Sequence, residues 1–163
     1  MGRDTTLLRE VLDKTASRIV TELTNEPAVE AELRSTLGTT YLKMGDWAKA
    51  ETMQRDALHL RRELFGETNE LVATALNDLA RAILPSKPSE GETLARQVLA
   101  LRITLLGEDH PDVAISYYVL ASALLWQGKY SEAERMYRQA LTMQKKLFAT
   151  STRTSPARCR IWL

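Results

Sequence analysis

Three stretches of the chain are versions of one another, and nothing else in the sequence restricts the fold as strongly. Ala50-Glu51-Thr52-Met53-Gln54-Arg55-Asp56-Ala57-Leu58 lines up with Gly91-Glu92-Thr93-Leu94-Ala95-Arg96-Gln97-Val98-Leu99, 41 residues on. Both line up with Ala133-Glu134-Arg135-Met136-Tyr137-Arg138-Gln139-Ala140-Leu141, 42 residues further. The register holds through Leu60, Leu101 and Met143 to Leu64-Phe65-Gly66, Leu105-Leu106-Gly107 and Leu147-Phe148-Ala149. A fixed period of this length marks stacked units, each burying one face against its neighbour.

Each copy pairs Glu with Arg at i,i+4: Glu51 with Arg55, Glu92 with Arg96, Glu134 with Arg138. That orientation supports a helix, and its face is read as solvent-facing. Upstream of each copy lies a second periodic segment. Ala31, Ala73 and Ala114 precede Leu37-Gly38, Leu79-Ala80 and Leu120-Ala121, and Tyr41, Ile83 and Leu124 follow. Small residues let helix backbones approach, and the bulky ones fill the space between them. Each unit therefore reads as a pair of helices. Gly45-Asp46 and Gly128-Lys129 break the first and third pairs, Gly66 and Gly107 stand as C-caps, and Pro27 and Pro111 open helices.

Helices are expected at about 27–44, 47–65, 69–84, 89–106, 111–127 and 130–149, in units 27–66, 67–107 and 108–149. A leading helix, about 5–24 within residues 1–26, carries Leu8, Val11, Leu12, Ile19, Val20 and Leu23 as a one-sided stripe. It reads as an N-terminal cap over the first pair, or as a second helix surviving from a longer array. The fold class is all-α.

The 163 residues, 44% of them hydrophobic, suffice for one domain with a real core. Lys plus Arg number 22 against 21 Asp plus Glu, so no overall field draws in nucleic acid or a membrane surface. The single cysteine, Cys159, excludes an intrachain disulfide and a Cys-based zinc site. No apolar run approaches the ~20 residues of a membrane span. The reading is a soluble, cytoplasmic chain with no cofactor and no metal. A Gly-rich phosphate loop, a nucleophile motif and a histidine pair at metal spacing are all missing, so an enzyme is not expected. His110, beside Asp109 and Asp112, reads as a capping and linking residue, and His59 as structural.

After Phe148 the pattern stops. Residues 150–163, with Arg153, Arg158 and Arg160 and no acid, read as a flexible basic tail, or as the truncated end of a longer array. Loss of a fourth unit leaves apolar surface around Leu141, Leu147 and Phe148. It is expected to be covered by the tail, through Ile161 and Trp162, or by a second chain, giving a homodimer through the C-terminal repeat.

The residues resemble tetratricopeptide repeats, and more narrowly the kinesin-light-chain-like variety. Leu120-Ala121, Gly128-Lys129-Tyr130-Ser131-Glu132-Ala133-Glu134 and Ala140-Leu141 carry the small/large pattern, and Leu106-Gly107-Glu108-Asp109-His110-Pro111-Asp112-Val113-Ala114 carries the turn. The resemblance covers about residues 27–149. Unit two departs from it: Pro85-Ser86-Lys87-Pro88 replaces the Gly-x-aromatic turn, Gly91 stands where alanine is expected, and one residue is missing. The segment from Leu8 to Arg34 is also similar to the start of repeat regions that follow bacterial serine/threonine kinase domains.

The first resemblance implies a right-handed α-solenoid of three helix pairs behind an N-terminal capping helix, acting as a scaffold that binds a peptide or partner protein in its concave groove. The second implies instead a structural, dimerisation or sensor segment of a larger signalling protein. In such arrays the first helix of each pair lines the concave side, which places Glu32, Ser35, Thr39 and Lys43, then Thr74, Asn77 and Arg81, then Tyr118, Ser122 and Trp126 on the inner surface. The binding set carried over is Ser35, Thr39, Lys43, Asn77, Arg81, Tyr118, Ser122 and Trp126. Asn77 and Arg81, one turn apart, either clamp a peptide backbone and a carboxylate or form a solvated helix face. Trp126, eight residues from Tyr118, either anchors a partner or packs on the Gln127-Gly128 turn.

Overall fold

The computed structural model describes residues 2–23 and 25–153, so the expected tail from residue 154, with Cys159, Ile161 and Trp162, lies outside the described residues. Seven helices occur among those described and no strand does: α1 (Gly2–Glu22), α2 (Pro27–Lys43), α3 (Trp47–Phe65), α4 (Glu70–Ile83), α5 (Pro88–Leu106), α6 (Pro111–Trp126) and α7 (Tyr130–Arg153). The inner five helices start and stop within one residue of the expected positions. The outer two differ: α1 starts earlier, and α7 continues to Arg153 rather than ending near 149.

Local chemistry sets these boundaries. Pro27, Pro88 and Pro111 each sit in the first turn, where a missing N–H costs nothing. The Asp46 side chain caps α3 by accepting from Lys49 N at 3.3 Å, and the Asn69 side chain caps α4 by accepting from Leu71 N at 2.8 Å. His110 does the same for α6, its Nδ1 accepting from Asp112 N at 3.2 Å, which is the capping role read from the sequence. Gly45 and Gly128 take φ of 76° and 74°, and each lets the next residue donate back five positions, Asp46 N to Tyr41 O and Lys129 N to Leu124 O. The second pair has no such glycine. There Lys87 N reaches Ile83 O at 2.7 Å, a tighter closure that accounts for the missing residue.

The small/large pattern does what its sequence suggests. Ala31, Ala73, Ala114, Ala80 and Ala121 are buried with Leu79, Leu120, Tyr41, Ile83 and Leu124. One cluster joins the first two pairs, packing Leu58 of α3 on Val72, Ala75 and Leu76 of α4, with Val98 of α5 beyond. A second joins the last two pairs through Ala95, Val119, Leu120, Leu124 and Ala133. At Gly91, where alanine is expected, an added Cβ would lie 2.6 Å from Leu84 Cδ2, so the Leu84 side chain would have to shift to admit one. The α1 backbone approaches α2 alone. Ile19 is buried there against Leu37 and Tyr41, with Leu12 and Leu23 partly covered, while Leu8 and Val11 of the expected stripe stay exposed. Asp13 secures the cap, accepting from the Tyr41 hydroxyl and from Lys49 Nζ, both at 2.7 Å.

Two buried arginines fasten one pair to the next. Arg61 of α3 reaches Glu32 Oε2 at 2.8 Å and the Leu71 carbonyl at 3.4 Å. Arg102 of α5, its counterpart in the repeat, reaches Glu70 Oε1 at 3.1 Å and Thr74 Oγ1 at 3.0 Å in its own pair, then Asp112 O at 3.1 Å in the next. The third counterpart in this register is Gln144.

The Glu–Arg pairs form at 2.8, 2.7 and 2.6 Å in the three copies. Only Glu134 faces solvent as expected. Glu51 and Glu92 are largely covered because Lys87 and Lys129, at the starts of the following second helices, close over them at 2.6 and 2.9 Å. The first helices approach one another, α2 to α4 and α4 to α6, whereas α3, α5 and α7 do not. The array therefore bends toward its first helices, which form the inner layer.

Candidate peptide-binding groove

Three successive first helices present their C-terminal halves to one depression of about 400 Å³. From the first pair come Leu42 and Lys43 at the end of α2, and Trp47 at the start of α3. The second pair supplies Arg81 with Leu84 and Pro85 at the end of α4, and the third supplies Tyr118, Val119, Ser122 and Trp126 along α6. The lining is mostly apolar and aromatic, with two cations, Lys43 and Arg81, among it. Trp126 is 57% exposed, so it is presented to the groove rather than sealed on its turn. Tyr118 is held by an edge-to-face contact with Tyr137, ring centroids 5.3 Å apart. The Tyr137 hydroxyl lies 3.0 Å from Ser122 Oγ, which itself donates to the Tyr118 carbonyl at 3.0 Å. These contacts hold the Tyr118 ring in place on the wall of the depression.

Beside it lies a polar depression of about 430 Å³ between α2 and α4, lined by Ser35, Thr39, Thr74, Asp78 and Arg61, with Lys43 shared by the two. Burial pushes the Asp78 carboxyl above the usual aspartate range, opposed by the guanidiniums of Arg81 and Arg61. Arg81 Nη1 stands 3.6 Å from Asp78 Oδ1, so the groove's central cation already has a partly desolvated acid beside it.

Of the eight expected residues, Lys43, Arg81, Tyr118, Ser122 and Trp126 meet in the aromatic depression, and Ser35 and Thr39 line the polar one. Two expectations of exposure need correction. Asn77 is 5% exposed and its Oδ1 has no hydrogen-bond partner, so its amide is not presented to a peptide. The cause is that α4 is packed by helices of all three pairs and leaves only a narrow open strip. Ser35 is likewise buried, and its carbonyl accepts from Gln54 Nε2 at 3.0 Å. Trp47, Leu84 and Pro85 were missed because the groove takes residues from the turns as well as from the first helices. The signal was present in Gly45-Asp46-Trp47, where a large aromatic directly follows a turn.

His59 is exposed, with Glu63 at 3.5 Å. Among the described residues no group of three or more His, Cys, Asp or Glu is placed to hold a metal ion, and no helix is long and apolar enough to cross a membrane.

A profile of the tetratricopeptide repeat family matches residues 29–84 and 87–146, breaking at the atypical turn of the second pair. No curated protein matches the sequence. Among solved structures, the crystal structure of a point variant of "Podosopora anserina putative kinesin light chain nearly identical TPR-like repeats" superposes with a TM-score of 0.73 at 21% identity, covering 86% of this chain and 66% of that one. A crystal structure of the same Podosopora anserina repeats, described without a substitution, gives 0.70 at 22% identity, covering 85% and 66%. BtubC (BKLC) from P. vanneervenii gives 0.69 at 21% identity, covering 85% and 58%. These likenesses are of fold, and the chain spans 58–66% of the length of the structures it matches.

Proposed function

This chain belongs to the tetratricopeptide repeat family, whose repeats are generally protein–protein interaction scaffolds, and we propose that it binds an extended peptide segment of a partner protein across the inner faces of its three helix pairs. The observation that carries the reading is the meeting of Lys43, Arg81 and Trp126, one from each pair, in a single depression. A ligand matched to this surface carries an apolar side chain for the Trp47, Tyr118 and Trp126 wall and a carboxylate for Lys43 and Arg81. Because Tyr118 is already held by its contacts with Tyr137 and Ser122, that ring loses little side-chain freedom on binding. The chain's role in this reading is positional rather than chemical, and both histidines are accounted for by helix capping and surface placement.

Selection from a random peptide library tests the proposal. Peptides recovered on the wild-type chain are expected to place Asp or Glu within a few residues of an aromatic or aliphatic side chain. They are expected to lose at least about tenfold in affinity against Trp126→Ala or Arg81→Glu, with helicity unchanged. Peptides that bind wild type and both variants equally would place recognition elsewhere.

A further inference from the structure

We propose that Asp78 is an internal stand-in for the ligand's acid: it pairs with Arg81 until a peptide carboxylate displaces it, and it takes up a proton when that happens. The inference rests on the groove reading above. Asp78 and Arg81 stand three residues apart on α4 but open onto different depressions. Arg81 lines the aromatic one and Asp78 the polar one, with Lys43 shared between them. Arg81 Nη1 and Asp78 Oδ1 are 3.6 Å apart, against 2.8 Å for the pair between Arg61 and Glu32. The Arg81 side chain is 46% exposed and that of Asp78 only 19%. A guanidinium so loosely held on an exposed side chain can turn to a ligand, whereas the acid stays where packing keeps it.

Among the described residues no other cation is free to take the place of Arg81. From α3, Arg61 is engaged by Glu32 Oε2 at 2.8 Å and the Leu71 carbonyl at 3.4 Å. From α5, Arg102 is engaged by Glu70, Thr74, Asp112 O and Ser116 at between 3.0 and 3.2 Å. The α2 helix contributes Glu32, an acid, and Lys43, which the same ligand draws toward the aromatic depression. The one charged side chain of α6, Asp112, lies 3.4 Å from His110 Nδ1. The Asn77 side chain supports the ionised form of Asp78 without bringing a charge. Burial already raises the Asp78 carboxyl, and Arg81 is first among the charges that oppose the rise. A ligand carboxylate that takes Arg81 removes this opposition and sets a like charge nearby, so Asp78 titrates higher in the complex than in the chain alone. The complex then binds more protons than its parts, and affinity for acidic peptides rises as pH falls through the Asp78 range. Above that range both forms are ionised and the dependence vanishes.

The probe is a peptide selected on the wild-type chain and resynthesised with cysteic acid at its acidic position, because a sulfonate stays ionised throughout. Calorimetry between about pH 8 and pH 5, in buffers of different ionisation enthalpy, is expected to show affinity rising about three- to tenfold, with a fraction of a proton absorbed per peptide bound. Asp78→Asn is expected to abolish the uptake and to keep the tighter affinity at every pH. An NMR titration of the Asp78 carboxyl carbon, with and without the parent peptide, decides the matter if that variant fails to fold or the sulfonate peptide fails to bind. Its midpoint is expected to move up with peptide. Uptake that survives Asp78→Asn, or an Asp78 midpoint that peptide leaves in place, would overturn this inference while binding that still needs Arg81 keeps the groove. Binding indifferent to Arg81→Glu would overturn both.

Discussion

Lys129, Arg96 and Gln127 converge on the Glu92 carboxylate, Lys129 foremost, and hold its pKa at about 2 against an ordinary 4.5. A carboxyl depressed by folding contributes stability above its unfolded value and loses it as pH falls toward the folded one. Glu92 is therefore expected to contribute on the order of 2 kcal/mol at neutral pH, lost between about pH 4.5 and pH 2. Urea denaturation across that window checks it, with Glu92→Gln flattening the acid limb. Asp78 has the opposite sign. Burial raises its carboxyl, so its ionised form opposes folding at neutral pH and the penalty fades as pH falls into the aspartate range. Asp78→Asn is expected to melt above wild type at pH 7, with the gap shrinking on acidification, and to bind acidic peptides a few-fold more tightly because Arg81 loses its neighbouring acid. Thermal melts at two pH values and one affinity measurement check both effects. Neither environment was legible in the sequence. Glu92 looked like a solvated partner of Arg96 because Lys129 lies 37 residues away, and the burial of Arg61 and Arg102 likewise depends on partners in the following unit.

Helix boundaries were the most legible feature, because proline, glycine and short polar caps act within one turn of where they stand. The same locality explains what the pattern could not supply at α1 and α7. Among the described residues no helix lies against their outer faces, so a 3.6-residue stripe overstates what is buried: Leu8 and Val11 match the stripe and remain exposed. The α4 helix shows the reverse error, for Asn77 looks like an inner-surface residue until helices on several sides close around it. These contrasts predict a ladder of local stability. The backbone of cap helix α1 approaches only α2, and its side chains add the edge of one cluster and the half-exposed Asp13–Lys49 pair, whereas α4 sits at the centre of the array. Native-state hydrogen exchange is expected to show α1 amides opening at clearly lower free energy than those of α4, which should approach the global value. Equal protection in the two helices would mean that α1 belongs to the core.

The 41- and 42-residue offsets established how many pairs stack and in what register, and the bend follows from small residues on first helices that approach while second helices stay apart. The groove is a product of that stacking. Lys43, Arg81 and Trp126 are separated by 38 and 45 residues in the chain, and no local motif announces that they share a ligand. The resemblance to known repeats supplied five of its lining residues, whereas Trp47 and Pro85 enter only because turns rise to the same rim. Isothermal titration calorimetry of one selected peptide against wild type and the alanine variants at Lys43, Arg81 and Trp126 tests this composite surface most directly. The account predicts losses at all three positions, about 1 kcal/mol at Lys43 and about 2 kcal/mol or more at Arg81 and Trp126, with stoichiometry unchanged. Undiminished affinity in any two of the three variants would contradict it.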